Sequence, residues 1–238
     1  MNEAGVSLLV VCLYAAIPAT AAVLGATAAV LRPPGPRLRS MIQHLAAGVV
    51  FAVVAGELLP ELKDLHAIKD VVLGFSLGVL VMLAIRSTTE RLRSAGRLEF
   101  LVPVAIDFGI DGLLVGLGFA AGGVVGRLLV IALTIELVAL GLAVATEASP
   151  KQGGRWRPVR TAAILGALLT AAAAAGAAVF VRLPADRLAD VLAFGSAALL
   201  YLVTEELLVE AHEVPETPLT TAAFFVGFGS LFVLDLLL

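Results

Sequence analysis

The sequence contains one cysteine, Cys12, among 238 residues. A single thiol excludes an internal disulfide, and it excludes a metal cluster held by several cysteine ligands. Charged residues are scarce too: they make up 15% of the chain, whereas a soluble domain carries about 25%. Hydrophobic residues make up 60% of the chain. This composition is typical of a protein that lies within a membrane rather than of a soluble domain.

Apolar runs of about 20 residues recur along the whole chain, and each is long enough to cross a bilayer as a helix. The first run is too long for the core of a signal peptide and no basic residue precedes it, so we interpret it as a retained span. The connecting loops are short, so the sequence predicts one all-α, polytopic membrane domain over residues 1–238. The eight predicted spans are residues 6–31, 41–60, 70–86, 100–121, 125–147, 161–182, 188–210 and 217–238.

The basic residues are distributed unevenly between the two sides of these spans. Eleven of the sixteen Lys and Arg residues lie in or beside the loops that follow spans 1, 3 and 5, and five lie on the other side. Cytoplasmic loops carry the excess of Lys and Arg in membrane proteins. The distribution therefore predicts that both termini lie outside and that the basic loops lie in the cytoplasm.

Several carboxylates lie inside the spans rather than at their ends. A charge at the bilayer centre costs on the order of 2.5–3.5 kcal/mol on insertion scales, so such residues usually face a cavity or a pathway. A protonated carboxyl that serves helix packing is the alternative interpretation. No Lys or Arg lies inside the spans to neutralise these acids, which favours a metal ion or a proton as their partner. The acids concerned are Glu57, Asp107, Asp111, Glu136, Glu205 and Glu206.

Two short patterns recur around these acids. Span 4 contains "DGLLVGL" from Asp111 and span 5 contains "ELVALGL" from Glu136, so that each acid is followed five residues later by Gly-Leu. Span 2 contains "ELLPE" from Glu57, and span 7 contains "ELLVE" from Glu206. In the predicted topology the two members of each pair run in opposite directions. The patterns therefore predict an inverted repeat with a site near the membrane midplane.

The three histidines give weaker signals. His44 lies at the start of span 2, and His66 and His212 lie in or next to loops. We interpret each as a solvated or interfacial histidine. His212 also adjoins Glu210 and Glu213 in "EAHEVPE", an acidic segment that could attract cations.

The chain resembles the ZRT/IRT-like (ZIP) metal transporters, and most closely their bacterial branch. The similar stretches are "GELLPEL" in span 2, "DGLLVGLG" in span 4, "IELVALGLA" in span 5 and "LLYLVTEELLVEAH" in span 7. The resemblance implies eight helices in a 3+2+3 arrangement with inverted symmetry and both termini outside. It also implies transport of divalent metal ions towards the cytoplasm across a bacterial inner membrane.

The resemblance places a metal site between spans 4 and 5. The family's His-Asn-x-Pro-Glu-Gly motif corresponds here to "DFGIDG", so Asp107 and Asp111 take ligand positions while Phe108 replaces a ligand. In span 5, Glu136 keeps its donor group, but Ala132 takes the place of the family's histidine. The expected metal ligands are therefore Asp107, Asp111 and Glu136. Carboxylates without imidazole suit a harder ion than zinc, such as Mn²⁺ or Fe²⁺.

The resemblance also implies a pathway on either side of this site. Glu57 and Glu61 would line the outer approach. The inner exit would be lined by Glu205, Glu206, Glu210 and His212.

Three functional hypotheses follow. The first is a divalent-cation carrier of the ZIP type, with the metal ion (Zn, Mn, Fe or similar) as substrate and no prosthetic group. The second is a transport-deficient relative that serves as a sensor or interaction protein. The third is an intramembrane aspartyl protease, which the sequence disfavours because both aspartates lie on one helix. We expect no enzymatic activity and no nucleic-acid partner; the bilayer and metal ions are the expected partners, and the sequence is compatible with a homodimer.

Overall fold

The computed structural model describes residues 7–64, 68–92, 98–147 and 154–237. All regular structure in these residues is helical, and eight helices are long and apolar enough to cross a membrane. This confirms an all-α protein with eight candidate spans. The predicted first and last span residues, Val6 and Leu238, lie outside the described residues. The candidate spans are Leu8–Leu31, Pro36–Lys63, Ile68–Thr89, Leu101–Ala121, Gly123–Thr146, Arg157–Phe180, Arg187–Ala211 and Pro218–Asp235.

Most spans are single α-helices, but spans 2 and 7 each contain a π-helical segment. The helix of span 2 begins at Pro36 rather than at residue 41. Proline is favourable in the first turn of a helix because its missing N–H is unpaired there anyway. The helices are Leu8–Leu31, Pro36–Val53, Leu59–Asp64, Ile68–Leu92, Leu98–Ala121, Gly123–Glu147, Arg157–Phe180, Ala185–Tyr201, Leu208–Ala211 and Pro218–Asp235, and the π-helical segments are Val54–Leu58 and Leu202–Leu207.

The spans divide into an inner and an outer set. In spans 2, 4, 5 and 7, half or more of the residues in the apolar 18-residue stretch of the span are buried. In spans 1, 3, 6 and 8, a third or less are buried. Span 1 packs along spans 5 and 6, and span 4 packs along spans 6 and 5. Span 2 packs along spans 8 and 5, and span 3 packs along span 7. All of the carboxylates predicted inside the membrane therefore lie on the four inner spans.

Glycine permits the closest of these helix contacts. A Cβ atom at Gly112 would lie 2.3 Å from the carbonyl oxygen of Leu169 in span 6, and one at Gly141 would lie 2.1 Å from that of Ala22 in span 1. Real Cβ atoms do not approach a carbonyl oxygen so closely. Small residues allow backbones within a membrane to approach and pack by dispersion. The two glycines thus fix how spans 4 and 5 lie against their outer neighbours.

Replacing Gly112 by Ala is expected to lower the stability of the protein by about 1–3 kcal/mol, because the added methyl group forces span 6 away from span 4. Gly109 provides a matched control on the same helix, since a Cβ atom there meets no atom within 4 Å. Thermal unfolding in detergent should therefore give a lower midpoint for Gly112→Ala and an unchanged or higher one for Gly109→Ala. Equal midpoints for the two variants would contradict the close contact.

Candidate metal centre

The three residues predicted as metal ligands lie together in the middle of the bundle. Asp107 and Asp111 are one helical turn apart on span 4, and Glu136 lies on span 5, which packs against it. Asp111 is completely buried and Glu136 is 2% exposed, while Asp107 is partly accessible. Glu136 is close enough to both aspartates and to Glu206 of span 7 to interact with them electrostatically. The structure thus brings four carboxylates from three spans into one cluster.

The two most buried carboxylates of this cluster have unpartnered oxygen atoms. Both carboxyl oxygens of Asp111 and Oε2 of Glu136 are buried without a hydrogen-bond partner. In the described part of the chain neither residue forms an ion pair with Lys or Arg. A buried polar atom without a partner costs about 1–3 kcal/mol. The donor set therefore fits a cation, which would satisfy these oxygens and offset the repulsion between the acids.

Glu206 joins the cluster through the π-helical segment of span 7. The sequence assigned Glu206 to the inner exit, but its carboxylate interacts with those of Asp107 and Asp111 as well. It lies in the π-helical segment Leu202–Leu207. π-Helical turns are rare and frequently occur at functional sites, because the additional residue changes the direction of the side chains in the turn.

Span 2 contains the second π-helical segment, Val54–Leu58, which includes Glu57. The two segments therefore fall where the sequence repeats "ELLPE" and "ELLVE". Sequence reasoning missed both π-helical segments, since amino-acid propensity does not distinguish them from an α-helix. The repeat was the one signal that marked their positions.

The two other acids of the predicted inner exit, Glu205 and Glu210, have basic partners. We call the end of the bundle with Arg39, Arg86 and Arg155 the basic end. Arg86 of span 3 donates to Glu205 at 2.5 Å. Arg39 of span 2 donates to Glu210 at 3.4 Å. These arginines lie towards span ends, which is why counting Lys and Arg inside the predicted spans did not reveal the pairs.

Glu210 connects the carboxylate cluster to the basic end. It accepts a hydrogen bond from the amide of Gln43, and it is close enough to Asp107 and Glu206 to interact with them electrostatically. Gln43 is 2% exposed, and its Oε1 atom has no hydrogen-bond partner. A continuous series of carboxylates therefore leads from Asp111 to the basic end.

Another group of acids lies at the end of the bundle opposite the basic end. The side chain of Glu57 lies close enough to those of Asp235 and Glu61 to interact with them electrostatically. Glu57 and Glu61 were the predicted outer residues, and the structure brings them together. Asp235 was missed because it is the last residue of span 8 in the structure, where an acid is unremarkable in the sequence.

The interpretation of His44 as a solvated residue is wrong. His44 is 2% exposed, and its ring lies edge-on to that of His212, with the ring centroids 5.2 Å apart. Because span 2 begins at Pro36, His44 lies more than two turns inside the helix. His66 lies outside the described residues. Phe108 and Ala132, the residues that the resemblance to the ZIP transporters would place at ligand positions, are completely buried in the apolar core.

The comparisons with known proteins add no family assignment. No protein-family model and no curated protein matches this chain.

Proposed function

We propose that the chain is a divalent-cation carrier of the ZIP type that moves metal ions through the carboxylate cluster between spans 4 and 5 and towards the cytoplasm. The observation that carries this proposal is a set of three buried carboxyl oxygens, both of Asp111 and Oε2 of Glu136, that have no hydrogen-bond partner within the described protein. They face further acids and no base. A divalent cation is the simplest partner that satisfies the oxygens and neutralises the charge.

The packing of the helices supports the inverted repeat and the 3+2+3 arrangement that a ZIP-type carrier requires. Span 1 packs on span 5 as span 6 packs on span 4, and span 2 packs on span 8 as span 7 packs on span 3. Each of these contacts is converted into another of them when span 1 is exchanged with span 6, span 2 with span 7, span 3 with span 8 and span 4 with span 5. The exchange also relates the two π-helical segments. Inverted repeats of this kind place the substrate between them, near the midplane.

The donor atoms favour a hard or borderline ion. Every donor in the cluster is a carboxylate oxygen, and carboxylates with water suit Mn²⁺, Mg²⁺ or Ca²⁺, whereas imidazole suits Zn²⁺. We therefore expect the carrier to prefer Mn²⁺ and Fe²⁺ to Zn²⁺ as substrates.

The proposed pathway enters at Glu57, Glu61 and Asp235 and leaves by the basic end. The excess of Lys and Arg at the basic end supports a cytoplasmic location for it, in a bacterial inner membrane. Ions leaving the cluster would pass Glu206 and Glu210 and then reach the vicinity of His212. Acids along the route hold a cation at each stage without binding it so tightly that it stays.

A second candidate function is a transport-deficient scaffold that acts as a sensor or interaction protein. Its support is the packing of Phe108 and Ala132 into the apolar core, at positions where ZIP transporters have ligands. The two candidates differ in whether metal crosses the membrane.

Uptake into liposomes distinguishes them. We expect the reconstituted protein to take up Mn²⁺ or Fe²⁺ in preference to Zn²⁺, and Asp111→Asn to reduce this uptake by about 100-fold, since a ligand is lost from a buried site. Glu213→Gln is the matched control, because Glu213 is exposed and lies outside the cluster. Uptake by the wild-type protein that does not exceed that of Asp111→Asn for any divalent metal would refute transport and favour the scaffold.

A further inference from the structure

We propose that His44, His212 and Glu216 form a second metal site at the basic end, separate from the carboxylate cluster, that binds a borderline divalent ion such as Zn²⁺ or Co²⁺. One ligand atom from each residue lies within 4.8 Å of the other two. The three residues come from span 2, from the end of span 7 and from the segment before span 8. The inference does not depend on transport.

Hydrogen bonds fix the orientation of both rings. Nδ1 of His44 lies 2.9 Å from the carbonyl oxygen of Ser40, and Nδ1 of His212 contacts the carbonyl oxygen of Leu208. A carbonyl oxygen can only accept, so in each ring Nδ1 carries the hydrogen and donates it. In a neutral ring, Nε2 is then left with a free lone pair. A backbone carbonyl that orients a histidine in this way is the usual support of a metal-binding imidazole.

The contact between His212 and Glu216 also requires a cation. Nε2 of His212 contacts Oε1 of Glu216, and a lone pair on this nitrogen would face a second acceptor. A proton on Nε2 would satisfy this one pair. A metal ion satisfies the pair and also binds the lone pair on Nε2 of His44, whose Nδ1 atom is already engaged with the carbonyl oxygen of Ser40.

One ligand is fixed in the protein, while two can adjust. His44 is buried, and the helices around it are held together by the hydroxyl of Ser40, which donates to the carbonyl oxygen of Ala211 at 2.7 Å. The side chains of His212 and Glu216 are 47% and 48% exposed. Tetrahedral ligands at about 2.1 Å from Zn²⁺ lie about 3.4 Å apart. Small rotations of the two exposed side chains therefore suffice to close the site.

The donor set separates this site from the carboxylate cluster. Two imidazoles and one carboxylate, with a water as fourth ligand, form a common zinc environment, whereas the cluster has oxygen donors only. The two sites should therefore select different classes of ion. A metal bound here would add a removable link between span 2 and the segment that joins spans 7 and 8.

Titration with Co²⁺ tests the proposal, because tetrahedral Co²⁺ with nitrogen ligands absorbs visible light far more strongly than Co²⁺ in an octahedral oxygen environment. The experiment uses the full chain in detergent, purified without a histidine tag. We expect the wild-type protein to give the tetrahedral spectrum at one Co²⁺ per chain, and excess Zn²⁺ to remove it. His212→Ala and Glu216→Gln should weaken Co²⁺ binding at least tenfold, and His44→Ala should abolish the tetrahedral spectrum.

Two controls separate this site from the rest of the protein. His66→Ala removes the third histidine of the chain, and Asp111→Asn removes a carboxylate of the cluster; both should leave the spectrum unchanged. His212 and Glu216 are exposed, so their variants should fold even if His44→Ala does not. A spectrum that survives His212→Ala, or that is lost in Asp111→Asn, would overturn the proposal. If the wild-type protein takes up no Mn²⁺ but still gives the tetrahedral Co²⁺ spectrum, the proposed transport is refuted and the proposal of this second site stands.

Discussion

Replacing Asp111 by Asn and Glu136 by Gln in one protein is expected to abolish metal uptake and to raise the thermal stability of the metal-free protein. Both carboxylates are buried among other acids, so that neutral amides remove the repulsion that a bound cation or proton relieves in the wild type. Removing an unpartnered buried polar group is expected to increase the free energy of unfolding by about 1–3 kcal/mol. A gain in stability with a loss of activity is the behaviour of residues selected for function.

Thermal unfolding with and without Mn²⁺ measures both effects. An ion present at 100 times its dissociation constant stabilises the wild-type protein by about 2.7 kcal/mol, and the double variant should lose this response. The variant Glu213→Gln, at an exposed acid that belongs to neither the cluster nor the histidine site, should retain the response to Mn²⁺. If the variant at Asp111 and Glu136 is less stable than the wild type without metal and still responds to Mn²⁺, the cluster is not the binding site.

The number of helices and their approximate positions could be predicted because hydrophobic length alone decides whether a helix can span a bilayer. The residues at which each helix begins and ends could not be predicted. The segment "RPPGPRLR" between the predicted spans 1 and 2 has the composition of a loop, yet the helix of span 2 begins within it at Pro36. This shift of five residues moves His44 from the predicted end of the span into the bundle, where it contacts His212. The error about His44 therefore follows directly from the error about where the helix starts.

The residues of the carboxylate cluster could be predicted because an acid inside an apolar span needs a partner. The role of Glu206 could not be predicted in the same way. Glu205 and Glu206 are adjacent in the sequence and equivalent in composition. In the structure, Glu205 accepts a hydrogen bond from Arg86, whereas Glu206 interacts electrostatically with Asp107 and Asp111. Which of two neighbouring acids faces inwards depends on the local rotation of the helix, and in span 7 the π-helical segment sets that rotation.

Deleting Thr204 tests whether the π-helical segment serves the cluster, and we expect it to abolish uptake while the protein still folds. A π-helical turn contains one residue more than the α-helical turn it replaces. Removing an exposed residue of Leu202–Leu207 should allow the helix to continue with α-helical hydrogen bonds, and the helix on either side keeps its packing. The residues within the turn change direction, however, and the carboxylate of Glu206 leaves the cluster.

A displacement of about 1 Å at a functional group can lower activity about 100-fold, so metal uptake should fall by at least this factor. Thr204→Ala is the matched control, because it removes the same side chain and keeps the π-helical turn; it should transport at the wild-type rate. A monodisperse deletion variant with an unchanged thermal midpoint but no uptake is the expected result. Wild-type uptake by the deletion variant would show that the π-helical geometry, and with it the inward direction of Glu206, is not needed for function. The same deletion separates the two proposed metal sites, since His212 lies beyond the turn on a helix that keeps its register. Binding of Co²⁺ at the basic end should persist when uptake is lost.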